Sequence, residues 1–141
     1  MALAGGYPTC KDGNDNLDIS NSKVLTWREH MEAKFQARAL IKGTIVGVIE
    51  ARQNHVHFEV DLDNDLSTSD DRLEVIYNIK FGDVPDNRPG DTLVACGDFI
   101  VDPYSPMKAV LHWVHKNPKG KGHEDGFLWI NGNLTGQVSG K

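Results

Sequence analysis

A strict alternation of polar and apolar residues from His55 to Leu62 constrains the fold of this chain more than any other feature. Every second residue is apolar (Val56, Phe58, Val60, Leu62), and the residues between them are histidines or acids. Because side chains alternate across a β-strand, this pattern predicts a strand with one buried and one polar face. Four further apolar or β-branched runs, at 39–51, 73–79, 92–101 and 109–115, also predict strands, and a short closing strand starts at 127–130.

Residues 21 to about 35 follow a different period. Apolar residues recur there near helical spacing, and Ser20 or Ser22 is available as an N-cap, which predicts one amphipathic helix. Residues 1–20 are rich in Gly, Asp and Asn without periodicity, so we expect an irregular N-terminal arm followed by a single domain over 21–141.

These elements together predict a mainly β protein. With 141 residues, of which 39% are hydrophobic and 25% charged, the composition excludes collagen, coiled coil and wholesale disorder. Five or six strands, with a first strand that Gly43 and Gly47 allow to bend, favour a small OB-like Greek-key barrel with one N-terminal α-helix. The helix precedes the strands, whereas in OB-folds it joins the third and fourth.

Charge is segregated along the chain. The formal net charge of −5 argues against a general nucleic-acid coat, but residues 61–102 hold 11 acidic and 3 basic side chains. Residues 103–141 hold 5 basic and 2 acidic side chains, so an anionic partner would bind there. A solvated surface with uneven loops explains the same distribution. No apolar run reaches the roughly 18–20 residues that a membrane span needs.

Histidines form two groups. His55 and His57 are two apart on a predicted strand, which is a workable start for a zinc site and equally an ordinary polar strand edge. His112, His115 and His123 lie within twelve positions. His112 and His115 can serve one site only if their strand ends or bulges between them, and the following Asn-Pro favours an ending. These three form either a metal site, an acid–base site for a phosphate-bearing substrate, or a core histidine with two surface neighbours.

The run HWVHKNPKGKGHEDG resembles the signature of a bacterial family of small OB-like proteins, domain-of-unknown-function family 3465. The resemblance spans about 38–131. It implies an OB-like fold and commonly an exported protein, periplasmic or secreted, with no established activity. Tyr77 stands where the family has a histidine. The residues that match are His55, Phe58, Asn78, Gly90, Asp91, His112, Trp113, His115, Pro118, Gly120, His123 and Gly126.

We therefore expect a metal-assisted hydrolase that acts on a phosphodiester. His112, His115 and His123 would bind a divalent metal such as zinc, and His55 would be the general base or a fourth ligand. Asn78 would orient the phosphate, while Lys116, Lys119 and Lys121 would attract the anion. The alternative is a non-catalytic OB-type module that binds an anionic oligomer, such as nucleic acid, or a partner protein, with Tyr104 and other aromatic side chains as contacts.

Two weaker patterns remain. Cys10 and Cys96 match no zinc or redox spacing; Cys96 is either a buried small residue or, in an exported protein, half of a bridge that pins the arm. Asp61-x-Asp63-x-Asp65 resembles the start of a calcium loop. Its sixth position is Leu66 and its twelfth is Arg72, so a solvated acidic loop is favoured.

Overall fold

The computed structural model describes residues 6–63, 65, 67–68 and 71–138. Within these ranges the chain is mainly β with one short helix, as the sequence predicts. The elements in chain order are β1 (Cys10–Asp12), β2 (Asp15–Leu17), α1 (Asn21–His30), β3 (Gln36–Arg52), β4 (His55–Asp61), β5 (Arg72–Asn78), a 3-10 turn (Ile79–Phe81), β6 (Thr92–Val101), β7 (Ala109–His112), β8 (Phe127–Ile130) and β9 (Asn133–Thr135).

Strands β3 to β9 form one sheet in the order β3-β4-β5-β7-β6-β8-β9, and β3 also pairs with β6. The 17 residues of β3 make this double pairing possible. Its first half, from Gln36 to Thr44, pairs with β6, and its second half pairs with β4. The two halves meet near Gly43, where β3 changes its partner from β6 to β4. An added Cβ at Gly43 would lie 2.4 Å from the carbonyl oxygen of Asp61, so this close approach of the two strands requires glycine. The strand pairings therefore form a closed ring that runs from β3 through β4, β5, β7 and β6 back to β3.

The core lies inside this ring of pairings. The alternation in β4 places Phe58 and Val60 inside, where both are fully buried, and leaves His55 and His57 on the outer face. Val75 of β5 and Leu111 of β7 join the same core. The outer face of β4, β5, β6 and β7 is thus free to carry polar side chains.

The helix is shorter than the predicted 21–35, because it ends at His30. Met31 is already extended, and Lys34 has a left-handed φ of 72° while its N–H donates to the Val101 carbonyl at 2.8 Å. The apolar residues that suggested a longer helix are nevertheless packed together. The ring centroids of Trp27 and Phe35 are 5.4 Å apart. The periodicity beyond residue 30 therefore reflects burial of the chain as it enters the sheet.

The N-terminal arm is also more ordered than predicted. In place of an irregular segment, residues 10–17 form the β1–β2 hairpin. A disulfide joins Cys10 to Cys96 of β6. Of the two alternatives for Cys96, a buried free thiol or a bridge to the arm, the structure therefore contains the bridge. Both cysteines are buried beside Phe127, and Tyr7 stacks on that ring at 5.5 Å. In the described part of the chain, no helix is long and apolar enough to cross a membrane.

Candidate functional site

A cavity of about 330 Å³ opens on the outer face of the sheet, against β4, β5, β6 and β7. It holds four of the residues singled out from the sequence, three imidazoles and one amide. Its lining residues are His55, Ile76, Asn78, Ile100, Asp102, Val110, His112, Trp113 and His115. We refer to it as the imidazole cavity.

Strand register explains why residues so far apart in sequence meet there. His55, the first residue of β4, pairs with Asn78, the last residue of β5. Strand β7 runs parallel to β5 and ends at His112. Trp113 then adopts a left-handed φ of 58°, so the chain leaves the strand and His115 comes back to the same cavity. The strand thus ends between His112 and His115, as a shared site requires.

Hydrogen bonds to carbonyl groups fix two of the imidazoles. His55 Nδ1 lies 3.0 Å from the Gln53 carbonyl oxygen, and His115 Nδ1 lies 2.9 Å from that of Lys116. Because a carbonyl oxygen only accepts, each Nδ1 carries a hydrogen, and in the neutral ring the lone pair is then on Nε2. Nε2 of His112 is buried and has no hydrogen-bond partner in the described structure. The cavity therefore offers imidazole lone pairs.

Burial favours the neutral form of two of these rings, His112 and His115. It lowers the pKa of His112, an effect that the nearby Asp98 carboxylate partly opposes. Burial also lowers the pKa of His115, against a smaller opposite effect of its bond to the Lys116 carbonyl. The His115 ring stacks on Phe81 with centroids 3.6 Å apart and packs against Trp113 at 4.6 Å. At neutral pH both rings are acceptors or ligands.

His123 is held outside the imidazole cavity. Its Nδ1 lies 2.6 Å from the Glu124 carbonyl oxygen and its Nε2 lies 2.7 Å from Asp98 Oδ2, so neither ring nitrogen is open to a metal. Asp98 also pairs with Arg38 at 3.2 Å. Among the described residues, the ring nitrogens of His112, His115 and His123 do not form a set within 4.8 Å of one another. His123 therefore belongs to an ion-pair cluster beside the cavity.

The three predicted lysines are exposed and lie next to the cavity, outside its wall. Lys119 and Lys121 line a second depression of about 280 Å³ together with His123 and Trp113. Trp113 lines both depressions, and its ring lies 4.2 Å from that of His123. Lys116 lines neither of them.

Sequence reasoning missed the group that holds the edge of the cavity. The buried carboxylate of Glu74 accepts from His57 Nδ1 at 2.6 Å and from Ser105 Oγ at 2.6 Å. These bonds tie the 102–108 loop, which contributes Asp102 to the cavity, onto β4 and β5. Glu74 lies on the outer face of β5, and the alternation of residues along that strand indicates this position. Its partner Ser105 is 31 residues away, and nothing in the local sequence indicates the hydrogen bond between them.

Tyr77, which replaces a histidine of the family signature, is not in the cavity. It is fully buried on the inner face, and its hydroxyl donates to the Gly82 carbonyl at 2.8 Å. The hydroxyl also lies 3.0 Å from Thr135 Oγ1. Tyr77 is thus a core residue that anchors the turn after β5.

No protein-family model, no curated protein and no solved structure matches this chain. The resemblance to the domain-of-unknown-function family therefore stays a prediction.

Proposed function

We propose that the imidazole cavity binds a divalent metal of the zinc type and that the protein is a metal-assisted hydrolase of phosphodiesters. The observation that carries the proposal is the buried, unpartnered Nε2 of His112 beside His55 and His115. The Nδ1 atoms of His55 and His115 are bound to carbonyl oxygens. A metal-binding histidine almost always donates its other N–H to such an acceptor, which fixes the tautomer and the ring orientation.

The charge of the cavity favours a cation as the first ligand. No lysine or arginine lines it, whereas Asp102 does. A phosphate alone would therefore face imidazole lone pairs and a carboxylate. A divalent ion would supply the positive charge, polarise the phosphoryl oxygen and lower the pKa of a bound water. Since the imidazoles are not gathered within 4.8 Å, binding would have to draw them closer.

Two residues would complete the chemistry. Asn78 Oδ1 accepts from the Lys80 N–H at 2.9 Å, so its side-chain NH₂ is left to donate to a phosphate oxygen. His55 lies at the rim on β4, where a neutral Nε2 would serve as the fourth ligand or as the base that removes a proton from water. His123, originally a candidate ligand, has no role at the metal in this proposal.

We infer that the fold is an OB-like Greek-key barrel. The ring of pairings from β3 through β4, β5, β7 and β6 back to β3, with β5 and β7 parallel, supports this. OB-folds bind ligands on the face of their second and third strands, between the loops that follow the first and fourth. The imidazole cavity lies at the corresponding place, against β4, β5 and the 102–108 loop. The disulfide supports an oxidising compartment, periplasmic or secreted.

Metal analysis of untagged protein, followed by zinc titration and a phosphodiesterase assay with bis(p-nitrophenyl) phosphate, tests the proposal. We expect one bound zinc per chain and hydrolysis that a chelator abolishes. His112→Ala should weaken zinc binding at least about 10-fold, whereas His30→Ala, an exposed histidine on α1, should have no effect. If zinc does not bind, or binds the His112→Ala protein equally well, the proposal is wrong.

The second depression favours a second candidate, a binding module for an anionic oligomer. Lys119 and Lys121 stand beside the Trp113 ring, and cations next to an aromatic ring are typical of single-stranded nucleic-acid sites. Fluorescence anisotropy with labelled single-stranded DNA should show an affinity that falls steeply with salt. The Lys119→Ala/Lys121→Ala protein should bind more weakly with a shallower salt dependence. Affinity that is independent of salt would eliminate this candidate.

A further inference from the structure

A second group of titratable side chains lies at the opposite end of the β4–β5 pair. Asp61 is the last residue of β4, Asp63 follows in the loop, and Asp71 directly precedes β5. One carboxylate oxygen of each lies within 4.8 Å of the others. Within the described ranges of the chain, this acidic cluster is the single group of three or more potential metal ligands that is so close together.

The backbone holds the three carboxylates in place. The Leu62 N–H donates to the Asp71 carbonyl at 2.9 Å, which continues the β4–β5 pairing by one step and closes the neck of the loop. Asp61 Oδ1 accepts from the Asp63 N–H at 3.0 Å. Strand pairing therefore brings Asp61 and Asp71 together, and the hydrogen bond to Asp61 holds Asp63 beside them.

Among the described residues, two buried oxygen atoms of the cluster have no hydrogen-bond donor. Asp71 is only 5% exposed, and no described residue donates to its Oδ1. Asp61 is fully buried, and its Oδ2 has no hydrogen-bond donor in the described part of the chain; Arg72 Nε is 3.5 Å away. Arg72 also binds Glu59 at 2.5 Å, so one guanidinium is divided between two acids. A buried carboxylate oxygen without a donor is costly and marks a position where a cation would be stabilising.

We propose that Asp61, Asp63 and Asp71 bind a Ca²⁺ ion, at a site separate from the imidazole cavity. The donor set consists of oxygen alone, which suits a hard cation and disfavours zinc. Ca²⁺ accepts six to eight oxygens in flexible geometry, so backbone carbonyls and water would complete the shell. The site is not a continuous calcium loop of the EF-hand type, because its third carboxylate comes from Asp71 across the neck and Leu66 occupies the glycine position.

Calorimetric titration of the full chain with CaCl₂, after removal of metals with a chelator, tests the site. We expect one ion per chain with a dissociation constant of about 10⁻⁴–10⁻³ M, as in extracellular modules, and a rise in Tm that MgCl₂ does not match. Asp71→Asn should weaken binding at least about 10-fold, since it removes one charged ligand. Asp65→Asn is the matched control, because this exposed acid of the same loop lies outside the cluster.

Three results would overturn the proposal: no heat of binding at about 10 mM Ca²⁺, equal responses to Ca²⁺ and Mg²⁺, or equal weakening by Asp71→Asn and Asp65→Asn. If Asp71→Asn does not fold, Asp63→Asn replaces it, because Asp63 is exposed. His112→Ala should bind Ca²⁺ as the wild type does. Failure of the calcium site is therefore distinguishable from failure of the zinc site.

Discussion

The two ends of the β4–β5 pair carry titratable groups of opposite character. At one end His55 pairs with Asn78 beside the imidazole cavity; at the other Asp61 pairs with Arg72 beside the acidic cluster. Each strand is seven residues long, so the two ends lie about 20 Å apart. The same two strands thus carry two groups of different side chains at their ends, imidazoles and an amide at one and carboxylates at the other.

Burial shifts the pKa values at the two ends in opposite directions. It lowers the pKa of His112 and His115, which leaves neutral rings with free lone pairs. It raises the pKa of Asp61, and that of Asp71 to about 6, so Asp71 ionises near neutral pH against the charges of its acidic neighbours. One end is therefore suited to a borderline metal such as zinc, the other to a hard cation.

The largest effect should come from loosening the imidazole end alone. Ser105→Ala removes a donor from Glu74 and leaves a buried carboxylate oxygen unpaired, so the free energy of unfolding should fall by about 2 kcal/mol. Urea denaturation followed by circular dichroism measures it, with the exposed Ser22→Ala as control. Calcium affinity should not change; a change would mean that the two ends are coupled.

Neutralising the acidic end should stabilise the metal-free protein. The folded-state pKa of Asp71, about 6, is above its ordinary value of 3.8, so the fold binds the extra proton between these values and loses stability as pH rises through them. With chelator present and near neutral pH, Asp71→Asn removes the repulsion between Asp71 and its acidic neighbours, so the free energy of unfolding should rise by about 1–2 kcal/mol. The gain is no larger because solvent screens part of the repulsion.

Denaturation curves of wild type, Asp71→Asn and Asp65→Asn between about pH 4 and pH 7 test this sign. Wild type and Asp65→Asn should share the same decline toward neutral pH, and Asp71→Asn should show a flatter curve. A destabilised Asp71→Asn protein that keeps the wild-type slope would contradict the assignment.

The imidazole end should show the reverse pH dependence with a smaller amplitude. Because burial lowers the pKa of His112 below 6.5, the unfolded chain binds the proton first and stability falls as pH drops below that value. His112→Gln should reduce this loss by less than about 1 kcal/mol. The comparison is made in the Asp71→Asn background, where the opposing contribution of Asp71 is absent, with His30→Gln as control. An unchanged slope would show that His112 is not a buried neutral ring.

The smallest effect should be the interaction between the ends. At about 20 Å and without shared partners, the changes in unfolding free energy of Asp71→Asn and His112→Gln should add within about 0.5 kcal/mol. A double-mutant cycle in chelator measures the difference. A larger interaction energy would mean that β4 and β5 transmit strain from one end to the other.

Much of the fold was predictable because the burial of one face of a strand produces a recognisable pattern of apolar residues in the local sequence. The alternation over 55–62 identified β4 and its inner face, and the apolar runs located β3, β5, β6 and β7 within a few residues. The helix end was not predictable, since Phe35 keeps helical spacing while packing on Trp27 from a non-helical segment. The β1–β2 hairpin has no apolar period of its own and depends on the disulfide and the Tyr7 contact.

The candidate site was predictable in part for the same reason. His55, Asn78, His112 and His115 were selected from pattern and resemblance, and they line one cavity. His123 has the same sequence signal, yet both its nitrogens are engaged by Asp98 and a carbonyl. Glu74 with Ser105 and Asp61 with Asp71 are pairings across loops, and residue type alone does not indicate such partners.

Periodicity and composition are local properties, so the sequence was enough to predict a mainly β fold, the inner face of β4 and the residue types available to bind ligands. Only the tertiary structure decided which of these residues meet. The register of β4 with β5 places His55 beside Asn78 and brings Asp71 next to Asp61, while the left-handed Trp113 returns His115 to the cavity. Proximity depends on strand pairing between distant segments, and pairing is settled by the packing of the whole core.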